Sequence, residues 1–307
     1  MKKDLTVKNN RIIQGLMRLK DISVDELYSL IKFDLQNGIN YFDLSDVYGN
    51  GESESKFGEV IKAHPELKDK IIVQTKCGII KRRDEGVSYL DLDKEHIIDS
   101  VKKSLARLNL DSLDYLLLHR PDIFMDAHEV AQAWAYLTQE KLVNHFGVSN
   151  FPHEMIKYLY DQTNIPIEIN QLQLGLGHLD LIREVLNCNM NNEEGCEHTG
   201  ELFFYMKRYN ITLQCWSPFQ YEFFGGSIFD NDKMKECNDF LEKLATKYNT
   251  NKTAIAGAFL LNLGDNIQII IGTTKIEHIK ECLDARKIKL SKEDWYALYK
   301  STGSMLP

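Results

Sequence analysis

The chain has 307 residues, of which 43% are hydrophobic and 27% charged, and a formal net charge of -8. That is enough apolar material for a substantial core, and no linker, repeat period or low-complexity tract interrupts it. The acidic balance argues against nucleic acid or another polyanion as partner, while a phosphate-bearing cofactor needs only a local positive patch. Residues 11–16 read as a first strand. Ser23 with Glu26 three residues on forms a capping box, opening a helix toward Asn37 that Gly38 ends. A strand at 41–44, a helix at 52–63 and a strand at 71–75 follow. Asp93 caps a helix reaching Leu108, and 113–118 is a strand of nearly continuous apolar character, as a strand covered on both faces should be. A helix at about 126–139 precedes strands at 143–148, 167–169, 212–215 and 267–271, with helical stretches between. Eight short strands alternating with helices mean parallel βαβ units, and in a chain of this length they predict a closed (β/α)8 TIM barrel, one domain over 1–307. The rival is an open doubly wound sheet, which would announce its cofactor site by G-x-G-x-x-G after the first strand; the sequence has none.

The start, MKKDLTVKNN, is charged with no apolar stretch behind it, so it does not read as a signal peptide, and the longest apolar run, 253–263, is too short to span a bilayer. The six cysteines form no C-x-x-C and no disulfide framework, which suits a reducing compartment. A cytoplasmic protein with no membrane partner is expected. Cys188, Cys196 and His198 lie close together in the polar stretch 187–200, but their spacing does not meet the tetrahedral zinc rules, and no metal is expected. A second unusual stretch, 218–230, is aromatic and glycine-rich, and long loops in compact domains are more often functional than idle.

The chemistry concentrates in FDLSDVYG at 42–49, VQTKCG at 73–78 and LLLHRPD at 116–122. Each is a strand-like run ending in a capable polar group: Asp43 and Tyr48, Lys76, and His119. A phenol beside an ammonium, a carboxylate and an imidazole can move a proton onto a carbonyl oxygen, because the cation lowers the phenol's pKa from about 10 and the imidazole can bond the same oxygen. Singly, Tyr48 reads as a rim tyrosine, Lys76 as a solvated side chain and His119 as a core histidine. All four at successive strand ends are hard to assign to packing, because active sites of closed barrels lie at those ends. The later strand ends carry polar or stacking groups too: Ser149 and Asn150, Asn170 and Gln171, Trp216 and Ser217, then Gly272, Thr273, Thr274 and Lys275.

On these motifs the chain resembles the aldo-keto reductases over about 12–303, with FD-x-x-D-x-YG fitting the bacterial branch of general NADP-dependent oxidoreductases. The resemblance implies a barrel that reduces aldehydes and ketones to alcohols with NADP(H), and a catalytic tetrad of Asp43, Tyr48, Lys76 and His119. Tyr48 is then the general acid, Lys76 held by Asp43 lowers its pKa, and His119 orients the carbonyl. The resemblance also implies that Ser149, Asn150 and Gln171 bind the nicotinamide carboxamide and that Trp216 stacks on its ring. Ser217 and Phe219 would begin the loop over the pyrophosphate, which Gly225 and Gly226 let bend. It further implies that Gly272, Thr273, Thr274, Lys275 and His278 hold the 2′-phosphate and that Glu281 contacts adenine. The chain departs from the family at His278, where Arg is usual, and at Cys282, where Asn is usual; this weakens NADP preference and brings NAD(H) within reach.

Two other readings stay open on the sequence: an NADP-binding redox sensor like the potassium-channel β-subunits, and an unrelated barrel enzyme with Lys76 as a Schiff base. Tyr48, Trp216, Tyr221, Phe223 and Phe224 predict an apolar wall around a small carbonyl substrate, with 77–90 and 187–200 shaping the rest. His64, His128, His145 and His153 read as surface or packing residues.

Overall fold

The computed structural model describes residues 4–81, 86–188, 190–196, 201–223, 225–229 and 231–306; Arg82–Glu85, Phe224 and His198, which the sequence reading touched, lie outside them. In chain order the strands are β1 (Ile12–Gly15), β2 (Tyr41–Asp43), β3 (Ile72–Cys77), β4 (Ile79–Ile80), β5 (Tyr89–Leu90), β6 (Leu113–Leu118), β7 (Val143–Ser149), β8 (Ile169–Gln173), β9 (Thr212–Trp216) and β10 (Ile267–Ile271). Eight of them close into a parallel barrel in the order β1, β2, β3, β6, β7, β8, β9, β10, with β10 returning to β1 through Ile12 opposite Ile269. The remaining two, β4 and β5, form an antiparallel pair at the barrel rim that the sequence reading did not anticipate. The chain turns out of β3 toward this pair at Gly78, whose φ of +106° is open to glycine and strained for other residues.

The helices are α1 (Val24–Gln36), α2 (Glu52–Ala63), α3 (Lys94–Leu108), α4 (Ala127–Gln139), α5 (His153–Thr163), α6 (Asp180–Leu186), α7 (Leu202–Arg208), α8 (Lys235–Lys247), α9 (Lys252–Leu261), α10 (Ile276–Leu283) and α11 (Lys292–Ser301). The capping box of α1 is present: Ser23 Oγ accepts from Glu26 N at 3.2 Å, and Ser23 N donates to Glu26 Oε2 at 2.7 Å. Such a cap is worth about 1 kcal/mol. Asp93 takes the N-cap position of α3 but makes no capping bond; Lys94 N donates instead to Glu129 of α4 at 3.2 Å. Among the described residues no helix is long and apolar enough to cross a membrane.

Side chains alternate between two cores. Outward residues such as Phe42, Leu116 and Leu118 pack under the helices with Trp134 and Phe146, whose rings stack at 4.6 Å. Inward residues Ile13, Tyr41, Ile72, Tyr115, Leu117, Ile169 and Ile270 fill the barrel. Two boundaries differ from expectation. β3 runs two residues further, so Lys76 is a strand residue, and β8 begins at Ile169, where a strand was expected to end. The apolar alternation of Ile167 and Ile169 resembles a strand, but pairing with β9 uses Ile169–Gln173, because amides rather than aliphatics fill this level of the barrel.

Candidate active site

The inward register delivers the site. Side chains on one face of a strand recur every second residue, so Tyr41 in β2 is followed on the inner face by Asp43. Ile72 in β3 is followed by Gln74 and Lys76, Ile169 in β8 by Gln171, and Tyr115 and Leu117 in β6 by His119. Asp43, Gln74, Lys76 and Gln171 are all buried.

The ammonium of Lys76 is the hub. It donates to Asp43 Oδ2 at 2.8 Å, to the Leu44 carbonyl at 2.8 Å and to the Tyr48 hydroxyl at 3.1 Å, which uses all three of its donors. Asp43 is held in turn: its Oδ1 accepts from Gln74 Nε2 at 2.5 Å and from Gln171 Nε2 at 3.0 Å. Both glutamines also donate to Gln214 Oε1, and Gln214 Nε2 donates to Gln268 Oε1 at 3.0 Å. A layer of paired amides thus underlies the ion pair and supplies the partners that a buried charge requires. The Tyr48 and His119 rings meet edge to face, 6.0 Å between centroids. His119 Nδ1 lies 3.0 Å from the hydroxyl of Ser45.

These surroundings set the charges. Burial draws the Lys76 ammonium down, but Asp43 and the Tyr48 oxygen outweigh it, and its pKa ends above the usual value. For Tyr48, burial raises the pKa; Lys76 opposes this and Asp43 adds to it, leaving the phenol above 10.0. The sequence reading expected Lys76 to bring the phenol down. Here burial wins, so Tyr48 keeps its proton at neutral pH. Burial also holds His119 well below 6.5, reinforced by Lys76, Arg120 and Lys81, so its imidazole is neutral. Burial pushes Asp46 up to about 7, with Glu54 adding and Arg107 opposing.

These groups open into a cleft of about 920 Å³ that runs from Asp43, Tyr48 and His119 past Ser149, Asn150, Gln171 and Trp216 to His278 and Glu281. Ser149 Oγ donates to the Gln171 carbonyl at 2.9 Å, Asn150 Nδ2 donates to Ser149 Oγ at 2.8 Å, and Trp216 Nε1 donates to Asn150 Oδ1 at 3.2 Å. Asn150 and Ser217 both lie in the left-handed region, at φ +62° and +50°. Backbone strain of this kind gathers at functional sites.

The sequence profile of the Aldo/keto reductase family matches residues 11–301. The chain belongs to the aldo/keto reductase family. It is 30% identical to the oxidoreductase YdhF of Escherichia coli over 95% of this chain and 93% of that protein. It is 29% identical to a 6-dehydroglucose reductase of Agrobacterium fabrum over 94% and 93%. Its fold matches that of the glycerol dehydrogenase of Gluconobacter oxydans with a TM-score of 0.75 at 22% identity, covering 95% and 90% of the two chains.

In this aldo/keto reductase the expected site residues fall in two groups. Asp43, Tyr48, His119, Ser149, Asn150, Gln171, Trp216, Ser217, Phe219, Gly272, Thr273, His278 and Glu281 line the cleft. Lys76 lies beneath it, reaching Tyr48 from below. Thr274 and Lys275 do not line it; Lys275 takes the N-cap position of α10 and is exposed. His278 is also exposed, with Nδ1 3.5 Å from Thr273 Oγ1, and Glu281 Oε2 accepts from Thr253 Oγ1 at 3.1 Å. Cys282 borders the cleft, its thiol turned to the His278 carbonyl at 3.2 Å.

Sequence reasoning missed Ser45, the amides Gln74 and Gln214, and the cleft cations Arg18, Lys81, Arg120 and Lys252. A signal existed for the amides: Gln74 and Gln214 stand two residues before Lys76 and Trp216, on the same strand face. Of the histidines set aside, His64 stacks on Tyr28 at 3.6 Å and His145 pairs with Glu168 at 2.7 Å. Among the described residues no group of three or more His, Cys, Asp or Glu side chains could hold a metal ion.

Proposed function

We propose that this oxidoreductase reduces the carbonyl group of small aldehydes or ketones to alcohols, with NADPH as cofactor and NADH as a workable substitute. A nicotinamide cofactor supplies the hydride when bound. The observation that carries the reading is Lys76 Nζ held between Asp43 and the Tyr48 hydroxyl at the cleft floor.

Tyr48 is the general acid. Its proton, retained at neutral pH, passes to the carbonyl oxygen as negative charge grows there, and the Lys76 ammonium at 3.1 Å steadies the phenolate left behind. Asp43 fixes Lys76 and keeps it charged. With the Ser45 hydroxyl, 3.0 Å from Nδ1, as donor, a neutral His119 would carry its hydrogen on Nε2 and offer it to the same carbonyl oxygen. Both donors are in place before substrate arrives, which is where electrostatic catalysis gains most.

The cleft suits a dinucleotide. Ser149, Asn150 and Gln171 would hold the carboxamide and Trp216 the ring, while Ser217 and Phe219 border the middle of the cleft. Arg18, whose guanidinium would stand 3.7 Å from a side chain at Gly272, and Lys252 bring positive charge to the far end beside Thr273, His278 and Glu281. The same reading takes 1–307 as one catalytic unit working in the cytoplasm, in keeping with six free cysteines.

The test is the absorbance at 340 nm of NADPH, and in parallel NADH, on adding a panel of aldehydes and ketones. Carbonyl-dependent oxidation with both, faster with NADPH, is the expected result. Tight NADPH binding with no carbonyl oxidising it would overturn the enzymatic reading in favour of a sensor.

A further inference from the structure

Two cations at the cleft have no task in the reaction above. Arg120 directly follows His119, is half-buried, and stands with its guanidinium carbon 6.0 Å from the Trp216 ring. Lys81 follows β4, beyond the end of β3, the strand paired with β6. Other partly buried arginines have carboxylates: Arg107 meets Glu54 at 2.7 Å, Arg183 meets Asp180 at 3.4 Å and Arg11 meets Asp265 at 3.8 Å. Among the described residues Arg120 and Lys81 meet none. Their charge reaches the reacting groups nonetheless, since both hold the His119 pKa down.

A partly desolvated guanidinium with no anion beside it is costly, and its planar fork of donors matches a carboxylate or phosphate. Trp216 stands beside it, and Val47, Ile79 and Phe223 add apolar lining to the same cleft. We propose that the carbonyl substrate carries an anionic group, a carboxylate or phosphate on an apolar body, and that Arg120, assisted by Lys81, binds that group while the carbonyl lies against Tyr48 and His119. This rests on the carbonyl-reductase reading and narrows its substrate class. The other source of an anion is the cofactor's pyrophosphate. Arg120 directly follows His119 and stands by the Trp216 ring, at the end of the cleft where the carbonyl would lie; the loop assigned to the pyrophosphate starts one residue after Trp216, so the NADPH affinity of an Arg120 variant separates the two sources.

The experiment compares 4-carboxybenzaldehyde with its near-isosteric neutral analogue 4-formylbenzamide, in the parent and in Arg120→Gln. The parent should favour the carboxylate in kcat/KM by about tenfold or more, as charge-assisted bonds to a guanidinium imply. Arg120→Gln should lose most of that preference, chiefly through KM, while its dissociation constant for NADPH stays close to the parent's. Equal kcat/KM for the two aldehydes in the parent, or an equal loss for both in the variant, overturns the proposal. A loss of NADPH affinity matching the loss in kcat/KM also overturns it, by giving Arg120 to the cofactor. If neither aldehyde is reduced, the anion subsite is judged by binding, and the carbonyl-reductase reading by the wider panel above. Benzoate but not benzamide should quench tryptophan fluorescence in the parent and do so more weakly in Arg120→Gln; no difference between them refutes the subsite as well.

Discussion

At one end of the cleft Asp43, Lys76 and Gln171 are buried and each holds several partners; at the other, His278 and Glu281 lie exposed, their side chains meeting those of Thr273 and Thr253. The difference follows from what each end would have to do in the proposed reaction. Proton donation depends on distances fixed to a fraction of an ångström, and rigid strands with a hydrogen-bonded amide layer below provide them. Gripping an adenosine phosphate depends on a few surface donors, each worth a modest increment, which can be exchanged without disturbing the barrel. Substitutions at the buried end should therefore cost orders of magnitude in rate and some stability, and those at the exposed end should shift cofactor affinity by small factors.

Lys76→Met breaks the buried end most severely. It removes the cation facing the phenolate and leaves Asp43 as a buried, unpaired carboxylate. We expect carbonyl reduction to fall by at least about two orders of magnitude and the protein to lose about 3–5 kcal/mol, the usual cost of breaking a buried pair. Without Lys76 nothing of comparable strength opposes the upward push of burial on Tyr48. Any residual activity should therefore persist to higher pH than the parent's before the phenol ionises. A folded variant with the parental rate and pH profile would contradict the role given to Lys76.

Ser45→Ala is subtler. In the proposed mechanism Ser45 would position His119, and loss of its hydroxyl bond should cost about 1 kcal/mol, or roughly fivefold in kcat. The nitrogen NMR shifts of the His119 ring should move away from the form protonated at Nε2, a change that simple loss of packing would not produce. An unchanged tautomer with lowered stability would reduce Ser45 to a structural residue.

His278→Arg sharpens the exposed end. Imidazole offers at most two separated donors, while guanidinium offers a planar fork to a phosphate. NADPH should tighten by about tenfold, as one added charge-assisted bond implies, with NADH nearly unchanged. Dissociation constants from tryptophan fluorescence check it, and equal shifts for both cofactors would mean that His278 does not face the 2′ position.

The same contrast explains what could be read from the sequence. Leu113–Leu118 and Ile267–Ile271 are bounded as expected because apolar runs between turn residues fix them. The four polar residues at strand ends stood out because their chemistry is unusual there. Ser45 did not, because a lone hydroxyl just past a strand has no local signature; Gln74 and Gln214 carried only the weak signal of sharing a strand face with Lys76 and Trp216, and their partners come from strands far away in sequence. β8 differs from the expected 167–169 for a related reason: Asn170 and Gln171 read as the polar end of that strand, whereas they lie inside β8, where the barrel closes around their amides. Arg120 sat inside the LLLHRPD motif and was passed over because His119 accounted for that motif. The adenosine end was legible only through family resemblance, since Thr273, Lys275 and His278 would otherwise be ordinary surface residues.

The central claim is that Tyr48 gives the proton while other residues hold the cofactor. Stopped-flow mixing of Tyr48→Phe with NADPH and then aldehyde, following tryptophan quenching and 340 nm absorbance together, tests it most directly. The ring keeps its shape and loses only the proton, so the quenching phase should keep the parent's amplitude and affinity while the absorbance phase slows by about 10²–10⁴-fold. Parental oxidation of NADPH in the phenylalanine variant, with binding intact, would contradict the account.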